Sequence, residues 1–191
     1  SRQDWINSRH FSFQQKNPVS RAWSFGGPLS EIAMQANQFY TRLAITRRQA
    51  EIQGSPTELC AKIDEIQSSY ESGTLGVDRL VELLIRYARL EQIIEPGNRL
   101  LDVRWKAEGE RRNTMELTRL VHVALINIEV PVTSQIIRHY RTCEDDRWVS
   151  WWLVNTLSLR LEPDSREFLH EVAALYDEAE KALRRMNHEP S

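Results

Sequence analysis

From Trp148 to Leu161 the chain carries no charged residue until Arg160, and the segment is apolar on nearly every side. Such a stretch has to be hidden from water, yet it falls well short of the roughly 18–20 residues that a membrane-spanning helix requires. Burial inside a globular core is the solution left, so the segment is expected to be the central helix of a bundle. Glu144-Asp145-Asp146 just before it supplies the negative charge that a helix N-terminus favours.

The flanking sequence reads as the helices that wrap this core. A first helix is expected from Ser30, as N-cap, to about Gln53, where Gly54 and Pro56 stop it. Ile32, Ala36, Phe39, Leu43 and Ala50 form one apolar stripe and Met34, Ile45 and Ile52 lie opposite, which predicts a helix packed between neighbours. A shorter helix fits 57–71. The segment Val77–Ile94 confines Asp78, Arg79, Glu82, Arg86 and Arg89 to one narrow polar stripe, with Glu82 and Arg86 at favourable i,i+4 spacing. Helix is expected again from Arg99 to about Val130, with a bend or break at Gly109. Leu120–Val132 is rich in β-branched residues, but both flanks favour helix. Pro131 ends that run, a short helix covers 132–143, and a last helix from Asp164 and Glu167, spaced as a capping box, reaches about Asn187. Its core stripe is Phe168, Val172, Leu175, Ala179, Leu183 and Met186.

The fold class expected is therefore all-α: an irregular bundle of about six or seven helices over 30–191, without an internal repeat. Residues 1–29 differ in kind. Trp5, Phe11, Phe13, Trp23 and Phe25 stand among Arg9, Arg21 and small polar residues, and the alternation around Phe11-Ser12-Phe13 and Trp23-Ser24-Phe25 has the period of a strand. Asn17-Pro18 marks a turn, so a short extended or β-hairpin arm is expected ahead of the Gly26-Gly27-Pro28 hinge. A lone hairpin is marginal in water and its aromatics need cover.

Composition narrows the function classes. The apolar share of 41% and the charged share of 27% are those of a globular protein. Without a membrane-length apolar run or a leader pattern, a cytoplasmic protein with no membrane association is expected. Cys60 and Cys143 are isolated, which argues for two buried thiols rather than a disulfide framework or a zinc site, and no metal or cofactor is expected. The net charge of −2 hides a basic first quarter, in which Arg2, Arg9, Lys16, Arg21, Arg42, Arg47 and Arg48 face Asp4 and Glu31 alone. Arginine far outnumbers lysine, a bias that suits interfaces and that a GC-rich genome also produces.

Candidate chemistry is sparse. His122 and Glu129 fall on one face of an apolar helix and would be the acid and base of a helical enzyme, although no nucleophile or phosphate-binding loop accompanies them. Glu167 and His170 have the ExxH spacing of helical di-metal sites, but such a site needs two copies plus two further glutamates, so His170 is expected in solvent. Trp148, Trp151 and Trp152 beside Arg147 would make a stacking platform only if exposed; in an uncharged helix they are expected in the core. Two basic clusters, Arg47 with Arg48, and Arg104, Lys106, Arg111 and Arg112, are candidate phosphate contacts, diluted by neighbouring acids and by a pI near 6.2.

The expected function is that of a non-enzymatic helical subunit or adaptor within a larger protein or nucleoprotein assembly. Its arm residues Trp5, Arg9, Phe11, Phe13, Arg21, Trp23 and Phe25 would contact a protein partner or a second copy of the chain. A nucleic-acid-binding accessory protein that uses the arm and the Arg104–Arg112 region ranks second. An enzyme built on His122 and Glu129 ranks third.

Overall fold

The computed structural model describes residues 28–54, 57–93 and 101–188, with side chains at 38–54, 57–92 and 109–188. The chain divides into two units, Ser1–Met34 and Gln35–Ser191. The proposed arm, 1–29, lies outside the described residues except for Pro28 and Leu29, which belong to the first helix.

Eight α-helices and no strand occur among the described residues: α1 Pro28–Ile52, α2 Thr57–Glu71, α3 Val77–Ile93, α4 Leu101–Asn127, α5 Thr133–Tyr140, α6 Arg147–Arg160, α7 Arg166–Val172 and α8 Asp177–His188. Short 3₁₀ turns, Gly73–Gly76 and Pro163–Ser165, precede α3 and α7. The all-α class is therefore as the sequence patterns indicate. No helix among the described residues is long and apolar enough to cross a membrane.

The uncharged segment is the centre of the bundle. Every residue of α6 from Trp148 to Ser158 is buried, and the helix touches α3, α4, α5, α7 and α8. Asp146 is its N-cap, accepting from the Trp148 and Val149 amides at 3.2 Å. This satisfies donors that the first turn of a helix leaves open. Beside it, α3 lies along α4 and buries Leu80, Val81, Leu83, Leu84, Tyr87 and Ala88, while Glu82, Arg86 and Arg89 of the polar stripe face solvent. In α1, Phe39 stacks on Tyr70 of α2 with ring centroids 3.9 Å apart, and Arg42 pairs with Glu116 of α4.

Arg160 and Glu162 join three helix ends. The Arg160 guanidinium donates to the carbonyls of Leu125, Ile126, Ile128 and Val130 at 2.7–3.2 Å, closing the C-terminus of α4 where unpaired carbonyls concentrate negative charge. Glu162 accepts from the Val132 and Thr133 amides, at 3.1–3.2 Å, and from the Thr133 hydroxyl, so a carboxylate thirty residues away caps α5 in place of the apolar Val132. Leu161 between them is left-handed, at φ 56°, a conformation that costs a non-glycine residue about 1–2 kcal/mol and that the two flanking side chains hold in place.

Burial alone would raise the Glu162 carboxyl. The Thr133 hydroxyl, the Arg160 charge and hydrogen bond, and the Val132 amide together bring it below the ordinary value of 4.5. A depressed carboxyl contributes stability above its unfolded pKa and loses it as pH falls through the folded value. Glu162→Gln is accordingly expected to lower stability near neutral pH by about 1.5–3 kcal/mol, the worth of hydrogen bonds to a charged group. The gap between wild type and variant should close as urea midpoints are followed below pH 4.5. A gap that persists unchanged in acid would show that the ionised carboxylate is not what caps α5.

Several local expectations are corrected. The helices number eight among the described residues rather than six or seven, chiefly because the last expected helix divides at Ala173–Tyr176 into α7 and α8. Tyr176 turns into the core there and Leu175 turns out, 54% exposed, so the continuous stripe through Leu175 does not exist. The capping box at Asp164 and Glu167 is replaced by the 3₁₀ turn at Pro163–Ser165, which runs directly into α7 with no side-chain cap. Gly109 does not break α4, which is continuous from Leu101 and ends at Asn127. Finally, Ile45 and Ile52 are exposed rather than packed between neighbours, and α1 starts at Pro28, a residue whose fixed φ suits a first turn.

Candidate functional site

The polar stripe of α3 forms one wall of an open groove. Glu82, Ile85, Arg86, Arg89 and Leu90 of α3 line it with His139 of α5 and Thr142 of the following turn, around a volume of about 450 Å³. The helical period explains the wall: Glu82, Arg86 and Arg89 stand one turn apart on the face that α3 does not bury. Ile85 is 8% exposed and Leu90 38%, so the groove has an aliphatic floor beneath its charges.

The ion pairs around the groove are not those expected from sequence. Glu82 pairs with Arg79 at 3.1 Å instead of with Arg86. Arg79 also binds Glu65 of α2, through Nε at 2.7 Å, and these hydrogen bonds raise its already high pKa. Asp78 is taken by Arg138 of α5, with the His139 Nε2 3.5 Å away. Arg86 and Arg89 consequently have no ion pair among the described residues. The Thr142 hydroxyl donates to the His139 carbonyl at 2.7 Å and is thereby engaged. Burial raises the thiol of Cys143 against the opposing influence of Arg89, while Cys60, expected to be buried, is half-exposed. Two guanidiniums one turn apart above an aliphatic floor bind oxyanions well, bidentate contact to carboxylate being the geometry that arginine favours.

The residues singled out from sequence scatter. Trp5, Arg9, Phe11, Phe13, Arg21, Trp23 and Phe25 lie outside the described residues, as do the side chains of Arg104 and Lys106. Arg47 is held by Asp64 at 2.7 Å and by Gln67, and Arg48 by Glu51 at 3.2 Å. Arg111 is half-buried and Arg112 exposed. His122 is 3% exposed, with its Nε2 3.4 Å from Asn155 Nδ2 and its ring edge-on to Trp152, whereas Glu129 is exposed in the bend beyond the end of α4. Glu167 and His170 both face solvent, and no group of three or more potential ligands among the described residues could hold a metal ion.

Trp148, Trp151 and Trp152 fill the core. Trp148 and Trp151 stack at 5.7 Å and Trp152 meets both edge-on, each residue 8% exposed. The groove itself escaped sequence reading because Arg86 looked paired within its helix. The available signal was the excess of arginine on the α3 stripe, three against two acids, but which of them is left over depends on Glu65 and Arg138 from other helices. In comparisons with family models, curated proteins and solved structures, none matches this chain.

Proposed function

We propose that this chain is a non-catalytic helical subunit or adaptor that holds a protein partner within a larger assembly. The observation that carries this reading is the α3–α5 groove, in which Arg86 and Arg89 stand over Ile85 and Leu90 without an ion pair among the described residues. The candidate catalytic pair supports the same ranking, since His122 is buried against Asn155 and Trp152 while Glu129 is exposed. The nucleic-acid reading ranks lower because, among the described residues, Arg47 and Arg48 are paired with Asp64 and Glu51.

The arm remains the proposed attachment point. Its five aromatics with arginines are the residue types enriched at the energetic centres of interfaces. Deleting residues 1–27, which end where α1 begins, is expected to leave helicity and the urea midpoint nearly unchanged. The same deletion should abolish co-purification of the protein that accompanies the tagged full-length chain. Global unfolding of the truncated chain would make the arm part of the domain's own core and end the attachment proposal. Purification of the full chain with nucleic acid alone, released by salt, would promote the second reading.

A further inference from the structure

Among the described residues, the acids nearest the groove, Glu82 of its own wall included, are engaged by groups other than Arg86 and Arg89. Glu82 is held by Arg79, Asp78 by Arg138 and Glu144 by Arg141, while Asp146 accepts from Gln92 and caps α6. Arg86 and Arg89, without an ion pair among the described residues, thus line the groove together with Ile85 and Leu90, and its volume of about 450 Å³ lies within the range of small recognition sites. A complementary ligand carries carboxylates at short spacing with an aliphatic side chain between them. The chain's own arm is basic and would be repelled. Single-stranded nucleic acid wants aromatic rings for stacking and a longer cationic track, and the groove offers Ile85 and Leu90, with Glu82 at its edge.

We infer that the α3–α5 groove binds an acidic, extended segment of a partner protein, with carboxylates on Arg86 and Arg89 and an aliphatic side chain on Ile85 and Leu90. This rests on the adaptor reading and names the chemistry of its partner. The test is a fluorescence-anisotropy titration of the full-length chain, at low salt, into a fluorescein-labelled peptide that alternates glutamate pairs with single leucines. Saturable binding is expected, weakening as salt screens the charges. The double variant Arg86→Ser with Arg89→Ser should bind about tenfold more weakly, and Leu90→Asp, which adds a carboxylate to the floor, should weaken binding as well. Arg184→Ser, at an exposed position on α8, is expected to bind as wild type does.

Undiminished binding by the double variant, or equal binding of a lysine-for-glutamate peptide, overturns the inference. So does displacement of the acidic peptide by a random-sequence oligonucleotide or by millimolar inorganic phosphate, either of which would make the groove a general phosphate site. The two readings fail separately. If the double variant still retains the protein that the full chain captures, the adaptor reading stands and the groove is not its site. If no protein accompanies the full chain, the adaptor reading falls and the titration alone decides the groove.

Discussion

Replacing Trp152 by alanine is expected to destabilise the protein by about 3–5 kcal/mol, the usual cost of deleting a large buried aromatic. Trp152 is 8% exposed and its indole meets three rings edge-on: Trp148 at 5.9 Å, Trp151 at 5.1 Å and His122 at 4.9 Å. The loss falls on the helix that most other helices touch, so neighbours cannot close over the space without moving several contacts at once. The indole nitrogen makes no hydrogen bond among the described residues, so Trp152→Phe forfeits area without breaking a polar contact and should cost a small part of that amount. Urea midpoints for wild type and both variants decide it, with an unchanged m-value showing that the denatured state is not the cause. A cost below about 1 kcal/mol for alanine would mean that the three tryptophans are less tightly packed than their geometry indicates, and would return them to consideration as a binding platform.

What could be read from sequence was whatever a single helix settles within itself. The uncharged run at Trp148–Ser158 has one physical solution, and the α3 stripe from Asp78 to Arg89 fixes which face of that helix meets water. Features decided between helices were not legible. The break at Ala173–Tyr176 contains neither glycine nor proline; it exists because burying Tyr176 requires the chain to turn, and a stripe drawn through Leu175 satisfies the helical period equally well. Gly109 looked like a break and is an interior residue of α4, since propensity yields to packing along the rest of the helix. Arg160 and Glu162 form no sequence motif, because the carbonyls and amides they bind lie about thirty residues away. The groove belongs to the same class: Arg86 is left over only once Arg79 of its own helix has taken Glu82 and Arg138 of α5 has taken Asp78.

Glycines make that boundary measurable. A Cβ added at Gly76 would stand 1.7 Å from the Ser69 carbonyl oxygen and 2.6 Å from its carbon, far inside contact distance. The opposing atoms are backbone of α2, so no rotamer change can relieve the clash. Either α2 or the 3₁₀ turn at Gly73–Gly76 has to move, and with it the start of α3, where Val77 and Leu80 are fully buried. Gly76→Ala is therefore expected to cost about 3 kcal/mol or more, at or beyond the upper end of ordinary overpacking. Three residues earlier Gly73 has open space around its Cβ position but a φ of 58°, so Gly73→Ala should cost only the roughly 1 kcal/mol of left-handed backbone. Gly109 has open space and helical backbone, and alanine there should add about 0.5–1 kcal/mol of stability. Urea titration of the three variants should thus rank them Gly109→Ala above wild type, Gly73→Ala below it and Gly76→Ala lowest. If Gly76→Ala matched Gly73→Ala, the turn would be yielding without disturbing α3, and the rigid seating of α3 on α2 that positions Arg79 against Glu65 would have to be abandoned.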